Sequence, residues 1–544
     1  MSSGKKTPTT EATAVAARLS RPCVLIIVVA SVERFAYKGV ASNLVTYLTD
    51  VVEMSTSAAA RSVSTWSGVT SMLPLASAVV ADSYWDRYST ITASSLLYVV
   101  GLIGLTLWAL LHTRMPCSTL FFPLYLISVG QGGYNPSLQA FGADQLDIGD
   151  DDDDGDGGTT AAAATEEQRS KVKSLFFQWW YFGICSGSLL GNSTMSYVQD
   201  TVGWGLGFAI PSAAMAVSVA AFFCCAPLYK KQRQPTRVAH KPCRGGGSGV
   251  FGALRSLLAN VAARKITLPS RDEDDTDDIV LSELELQEKP LTKVELADEK
   301  REEEVAMGEA APSVAKIILR LLPIWAMMLM FAVIFQQPMT FFTRQGMAMD
   351  HRVAGGAFVI PPAMLQSSIT VSIILLMPLY DRMVVPLAGL VTGDGKGVTV
   401  LQRIGVGMVL SIVAMAVAAL VEARRLRAAA AGASLSIAWL LPQYVLLGVS
   451  DVFAVVGMQE FFYTQVPGAM RTVGIALYLS VFGVGSFLGA FLITAIEMAT
   501  ATAAGGHGWF SDDPREAHLD RYYWFLALLS CVSFVVFVHL CKYY

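Results

Sequence analysis

A chain of 544 residues that is 53% hydrophobic and only 15% charged, with a mean hydropathy of +0.48, is too apolar for a soluble enzyme or a disordered regulator and points into a lipid bilayer. Its formal net charge of −4, from 40 Lys plus Arg against 44 Asp plus Glu, supplies no basic field for nucleic acid, which is excluded as a main partner. Of eight Cys, six (Cys23, Cys185, Cys224, Cys225, Cys531 and Cys541) lie in or beside apolar runs, and no pair has zinc or thioredoxin spacing, so they read as small packing residues.

A helix that crosses a bilayer needs about 20 mostly apolar residues, because the hydrocarbon layer is about 30 Å thick and each residue advances about 1.5 Å. Qualifying runs fall at 23–48, 64–84, 90–112, 118–140, 174–197 and 205–229, then at 316–338, 355–379, 399–421, 435–461, 472–496 and 522–541, twelve in all. The expectation is an all-α membrane protein in four parts: a tail (1–22), a six-helix bundle (23–229), a charged linker (230–315) and a second six-helix bundle (316–544). The first run is too long for a cleaved signal and holds Glu33, Arg34 and Lys38 inside it, so it stays in the mature chain.

The linker loses apolar periodicity, loosens at Gly245 to Gly247 and carries DEDDTDD and EKREEE; a shorter acidic insert, DIGDDDDDGDGG at 147–158, joins runs 4 and 5. Carboxylates without regular ligand spacing read as solvated, not as a metal site. Lys5, Lys6, Arg18 and Arg21 precede the first run, and Lys230, Lys231, Arg233, Arg237, Lys241 and Arg244 follow the sixth, which places both termini and the linker in the cytoplasm. Arg424, Arg425 and Arg427, between runs 9 and 10, are an exception to that bias. Asp82 and Arg87 at the end of run 2 are echoed by Asp381 and Arg382 after run 8, the equivalent place in the second half. Parallel six-helix repeats of this kind build a large class of secondary transporters.

A charge at the bilayer centre costs about 2.5–3.5 kcal/mol on insertion scales, so charged residues inside spans face protein or a wet cavity. In run 1, VERFAYKG places Glu33, Arg34, Tyr37 and Lys38 within two helical turns, with Glu33 and Tyr37, and Arg34 and Lys38, as i, i+4 neighbours. Asp451 in run 10 is the matching acid of the second half. Asn135 in GQGGYNP and Gln336 and Gln337 before Pro338 stand where Gly and Pro loosen a helix. Aromatic residues cluster in FFQWWYFG and EFFYTQ; most read as packing, with Gln178 and Trp179 as cavity-lining candidates. None of the six His sits mid-span, save His539 near the end of run 12, which argues against a histidine proton relay. An NST triplet at Asn192 offers a glycosylation acceptor but lies at the end of run 5. No Walker loop, HExxH, GxSxG or paired Cys and His set occurs, so the sequence presents no catalytic residues, no cofactor motif and no metal site.

The strings VERFAYKG, ADSYWDRYSTI, QAFGADQLD, FFQWWYFG, MTFFTRQGMAMD, IPPAMLQ, LYDRMVVP, LQRIGVGMVLS and GMQEFFYTQVPGAMRTVGIALYLS together resemble the plant nitrate and peptide transporter family, within the proton-coupled oligopeptide transporters of the major facilitator superfamily. The resemblance runs from about residue 22 to the C-terminus, apart from the acidic insert and the linker. It implies two six-helix bundles around a central site, alternating access by rocking of the bundles, and a substrate among nitrate, short peptides, plant hormones and glycosylated defence metabolites. It also implies gating roles for Asp82, Arg87, Asp381 and Arg382.

The departures from the family pattern are specific. The first-run motif usually reads Glu-x-x-Glu-Arg, and the position three before Glu33 is Ala30; the Lys usual in run 4 is Asn135. Loss of one charge of each sign orphans neither. Lys38 replaces a frequent Tyr, Gln178 an Asn, and Asp451 stands where Glu is common. Glu33 and Asp451 remain as central acids, so proton coupling is expected to be weakened or absent, and Arg34 with Lys38 favours nitrate or another small anion over a peptide. Peptide transport stays open, because Arg34 and Asp451 have the charges to hold a zwitterion by its two ends, as does transport of a hormone or glycoside. A reading of another class, a membrane sensor with little transport, rests on Thr90 in RYST, three residues after Arg87. The expected location is an integral, multi-pass position in the plasma or vacuolar membrane.

Overall fold

The structure, a computed structural model, describes residues 21–84, 87–147, 176, 179–229, 319–353, 358–379, 399–466, 471–503, 508–513 and 515–543. The linker, most of the acidic insert, Gln178, Asp381 and Arg382 lie outside the described residues. Within them the chain is helical, with a short antiparallel pairing of Arg352–Val353 and Phe358–Val359. In chain order the helices are α1 (Arg21–Ala41), α2 (Leu44–Asp50), α3 (Thr56–Tyr84), α4 (Arg87–Leu111), α5 (Phe121–Asp147), α6 (179–190), α7 (Ser196–Thr201) and α8 (Trp204–Cys224). The second half of the chain adds α9 (319–335), α10 (Phe341–Met347), α11 (Ser367–Leu379), α12 (Val400–Ala430), α13 (Leu441–Thr464), α14 (Arg471–Ala503) and α15 (Leu519–Leu540).

Seven helical stretches are long and apolar enough to cross a membrane: Tyr88–Leu111, Trp204–Cys224, Leu319–Met347, Val400–Ala430, Ile437–Phe462, Leu477–Thr500 and Leu519–Leu540. Each overlaps an expected run. The other five runs also carry helix, in α1, α3, α5, α6 and α11. In α1 and α5 polar groups such as Glu33, Arg34, Lys38 and Gln131 interrupt the apolar run, whereas α11 is apolar but short. The outer surface is apolar instead: Leu96, Val100, Ile103, Leu107 and Leu110 form an exposed stripe on α4, as do Leu528, Val532 and Val535 on α15. Apolar outside and Glu33, Gln131, Gln337 and Glu422 buried within is the inversion that a lipid solvent imposes. Cys23 and Cys185 are buried as expected, whereas Cys224 and Cys531 face outward.

Local signals set the helix ends. At α12, Thr399 Oγ1 accepts from the Gln402 backbone N–H at 3.3 Å while Gln402 Oε1 accepts from the Thr399 N–H at 3.1 Å, a reciprocal capping box. Beyond its last turn Gly432 takes φ +74°, the left-handed conformation that a residue with a Cβ resists. Between α9 and α10 the helix breaks at Gln336–Thr340, where Pro338 has no N–H to give.

The largest core draws its buried residues from positions 23–229, between Cys23 and Tyr229. Two others, apart from Ala60, come from Leu321–Phe537. The halves meet along α3 and α14, where a Cβ on Gly68 would stand 3.1 Å from the Gly483 carbonyl. They are also tied at one end of the molecule. There Gln366 Nε2 donates to the Ser42 carbonyl at 2.7 Å, the Thr56 N–H donates to Asp512 Oδ1 at 2.7 Å, and Arg61 lies 3.8 Å from Glu497.

Candidate functional site

The charged face of α1 is held in place by α6. Gly183, Gly187 and Gly191 recur every fourth residue on α6 and the π-turn that follows it, and α1 lies directly on them. Helices in lipid lack a hydrophobic drive toward one another, so close backbone contact over small residues fixes their packing. The seam runs past Ser31, Phe35 and Lys38, and sets the neighbouring Glu33 and Arg34 with respect to the rest of the site.

Glu33 is 1% exposed, with Arg34 Nε 3.9 Å from its Oε2. Asn135 of α5 and Tyr98 of α4 flank the carboxylate. The Arg34 guanidinium lies 5.8 Å from the centre of the Tyr37 ring, which stacks at 5.7 Å on Trp66 of α3. This sandwich fixes a half-buried cation by its flat face.

One helical turn on, Lys38 stands within electrostatic range of Asp451 from α13, across the boundary between the chain's two halves. Both are half-buried. Tyr181 and Cys185 of α6 and Tyr478 of α14 also lie within range of Asp451. The site therefore contains one ion pair, Glu33 with Arg34, and a second acid and base, Asp451 and Lys38, within electrostatic range of each other. Glu33 is sealed; Arg34, Lys38 and Asp451 keep some exposure.

Gln337 is buried beside the break between α9 and α10, and its Nε2 donates to the Val333 carbonyl at 2.9 Å. Its neighbour Gln336 reaches the other half, donating to Ser67 Oγ of α3 at 3.1 Å. Asp82 lies in the last turn of α3 and Arg87 opens α4. Thr90 is buried, in the first turn of α4. Asn192 is 2% exposed within a helical turn, so its amide is closed to a glycosylating enzyme.

Sequence reasoning missed Tyr98, Trp66, Tyr181 and Tyr478. Trp179 was expected to line the cavity, but it is half exposed and packs edge-on against Phe182, another exposed residue. Tyr181, two positions on and so on nearly the opposite helix face, is also exposed and lies within electrostatic range of Asp451. The signal was present in the spacing: Tyr181 and Cys185 are i, i+4 partners.

The POT family profile (PTR2) matches residues 88–510. The chain is 48% identical to Protein NRT1/PTR FAMILY 5.9 of Arabidopsis thaliana, over 97% of this chain and 96% of that protein. It is 41% identical to Protein NRT1/PTR FAMILY 5.10 of the same plant, over 96% and 92% respectively. Among solved structures, an auto-inhibited POT family peptide transporter superposes with a TM-score of 0.70 at 21% identity, covering 96% of this chain and 97% of that one. A POT family transporter in complex with 5-aminolevulinic acid gives a TM-score of 0.63 at 14% identity, with 95% of each chain covered.

Proposed function

The chain belongs to the POT family, whose members are multi-pass membrane transporters, and on that premise we propose that it moves a small polar solute, nitrate or another small anion ahead of a peptide, by alternating access. The observation that carries this reading is the burial of Glu33 beside Arg34, 3.9 Å away, in the middle of α1, with Lys38 one turn on. Charged groups are retained inside a membrane where they serve a solute path, and a path shared by two halves opens and closes as the halves rock.

In this reading twelve helices form two bundles, 23–229 and 316–544, joined by the 230–315 linker, with both termini and the linker cytoplasmic. Asp82, Arg87, Asp381 and Arg382 gate the cytoplasmic end, and Arg34, Tyr37, Lys38, Asn135, Gln178, Gln337 and Asp451 line the route. With Ala30 in place of a carboxylate, Glu33 and Asp451 are left to carry a proton, and coupling is weaker than in relatives with both first-run acids. The peptide reading has its own support in the peptide transporter whose fold the chain shares.

Purified protein in liposomes, supplied with labelled nitrate in competition with dipeptides and with or without a pH gradient at clamped potential, separates these readings. Nitrate uptake that survives removal of the gradient and falls to background in Arg34→Ala is the expected result. Uptake displaced by dipeptides but not by anions reverses the order. Normal uptake by Arg34→Ala at normal abundance removes Arg34 from the route.

A further inference from the structure

Along α12, a helix long and apolar enough to cross a membrane, Val406, Val409, Val413 and Leu420 are exposed, and so are Arg424 and Arg427 beyond them. At 3.6 residues per turn these positions fall within an arc of about 60°, so a single face runs from apolar side chains into two guanidiniums. That face is one bilayer long. Gln402, exposed before the first of the valines, and Arg424 stand about 33 Å apart at about 1.5 Å per residue, against a hydrocarbon layer of about 30 Å. Arg424 therefore reaches headgroup level, and Arg427 lies almost one turn further out.

The adjoining α13 supplies the rest. Trp439, in the turn just before it, is 42% exposed and its ring centre lies 4.1 Å from the Arg424 Cζ, while Leu441 and Val445 are exposed after it. An indole settles where the headgroups begin, and a guanidinium stacked on it keeps its in-plane N–H groups for an acceptor. Arg427 Nε donates to the Ala423 carbonyl at 3.2 Å, which anchors that side chain on α12. The acids of this region are engaged elsewhere. Arg425 holds both oxygens of Glu422, and Asp350, whose backbone bonds to Leu435 and Ile437, accepts from the Arg352 N–H at 3.0 Å. We propose that Arg424, Arg427 and Trp439 form a binding site for the phosphate group of a membrane phospholipid, whose acyl chains lie along Val413, Leu420, Leu441 and Val445. Two guanidiniums meet phosphate oxygens through paired N–H bonds, and arginines at a membrane surface draw anionic lipid. A galactolipid covers the same apolar stripe but offers the arginines no charge; free phosphate matches the arginines but leaves the stripe unmet.

The test is photo-crosslinking of purified full-length protein in nanodiscs of galactosyl diacylglycerol. One probe is a dioleoyl phosphatidylglycerol with a diazirine near the top of one chain; the other is a galactosyl diacylglycerol with the same chains and diazirine. On the peptide spanning 436–445, wild type is expected to take the phospholipid label at about tenfold lower probe concentration than the galactolipid label. Arg424→Gln with Arg427→Gln should cancel that difference, whereas Arg114→Gln, at an exposed arginine after α4, should leave it intact. Should the paired variant fold poorly, Arg424→Gln alone is expected to remove most of the difference, and its persistence there counts equally against the site. Glycerophosphate, a headgroup without chains, should not displace the label even in large excess. The proposal is overturned if both lipids label wild type alike, if a monodisperse paired variant keeps the difference, or if Arg114→Gln removes it as well. Displacement by glycerophosphate overturns it too, and assigns the arginines to free phosphate instead.

Discussion

The Cα of Gly187 on α6 faces the backbone carbonyl of Ser31 on α1 so closely that a Cβ there would stand 2.1 Å from that oxygen. The obstacle is backbone, which cannot rotate aside, and Gly191 repeats the relationship with the Phe35 carbonyl at 2.6 Å. A single methyl at 187 must push α1 outward and carry Glu33, Arg34 and Lys38 with it. Gly187→Ala should lower thermal stability in detergent by about 1–3 kcal/mol, the cost of overpacking, and abolish uptake even where protein is recovered. Gly489→Ala is the control, since its nearest neighbour would be Val333 Cγ1 at 3.9 Å; equal effects at both positions would remove the seam's special status.

A second buried ion pair lies within α12. Arg425 Nη2 and Nε reach Glu422 Oε1 and Oε2 at 2.6 and 2.8 Å, with the side chains 4% and 0% exposed. Removing one partner strands the other in a medium that cannot solvate it, at about 3–5 kcal/mol. Glu422→Ala and Arg425→Ala should each reduce folded yield and melting temperature sharply. The double replacement Glu422→Met with Arg425→Met should recover most of the loss, because apolar groups of similar volume leave no orphaned charge. A double variant no better than the singles would mean that the pair's other neighbours carry the stability.

Arg425 also shows where sequence reading stops. Three arginines between runs 9 and 10 contradict the cytoplasmic bias, but Arg425 is buried in its pair and Arg424 lies over the Trp439 ring at 4.1 Å. A count of positive residues cannot tell a topogenic surface charge from one consumed by packing. Helix positions were legible because hydropathy over about 20 residues is a strong, local signal. Glu33 and Arg34 stood out in the sequence because burying charge is costly enough to need a reason, and the structure buries Glu33 beside Arg34. Tyr98 and Trp66 beside the α1 charges were not legible, since their place depends on how α3, α4 and α1 pack together. The glycine seam was overlooked although Gly183, Gly187 and Gly191 are evenly spaced, because glycine adds nothing to hydropathy or charge and shows its purpose only when a neighbouring backbone is in view.

The closed end of the molecule depends on groups in water. Glu497 accepts from Ser57 and faces Arg61 at 3.8 Å, and Arg344 Nη2 donates to the Asp512 carbonyl at 3.2 Å while lying 3.9 Å from Asp50. Exposed pairs contribute about 0–1 kcal/mol each, too little to hold the fold but enough to shift two conformations a few kcal/mol apart. Glu497→Ala should therefore leave the melting temperature nearly unchanged while increasing the population open at this end. In a background whose exposed native cysteines are replaced by Ser, spin labels on Val202→Cys and Asp513→Cys should report a longer-distance component in that variant, growing further when Arg344→Ala is added. Unchanged distances would assign closure to the α3 and α14 seam.

At the break between α9 and α10 side chains supplement the backbone bonds: Thr343 Oγ1 donates to the Pro338 carbonyl at 2.7 Å, while Gln337 Nε2 and Thr340 Oγ1 add second donors to the Val333 and Gln336 carbonyls, which already accept the Gln336 and Met339 N–H groups. Inside a bilayer such groups have no water to turn to, so an interrupted helix persists only when its own side chains satisfy it. Thr343 is fully buried, and Thr343→Val, nearly isosteric, should cost about 1–3 kcal/mol of stability by orphaning that carbonyl, whereas Thr343→Ser should cost little. Pro338→Ala acts in the opposite sense: it returns an N–H and favours a continuous helix from α9 into α10, which carries Arg344 of the closed end. The substitution should raise the melting temperature and slow uptake, because stiffening the break removes the joint about which α10 turns as that end opens. A variant that melts higher yet transports at the wild-type rate would show that the break serves packing, and that opening turns about another part of the chain.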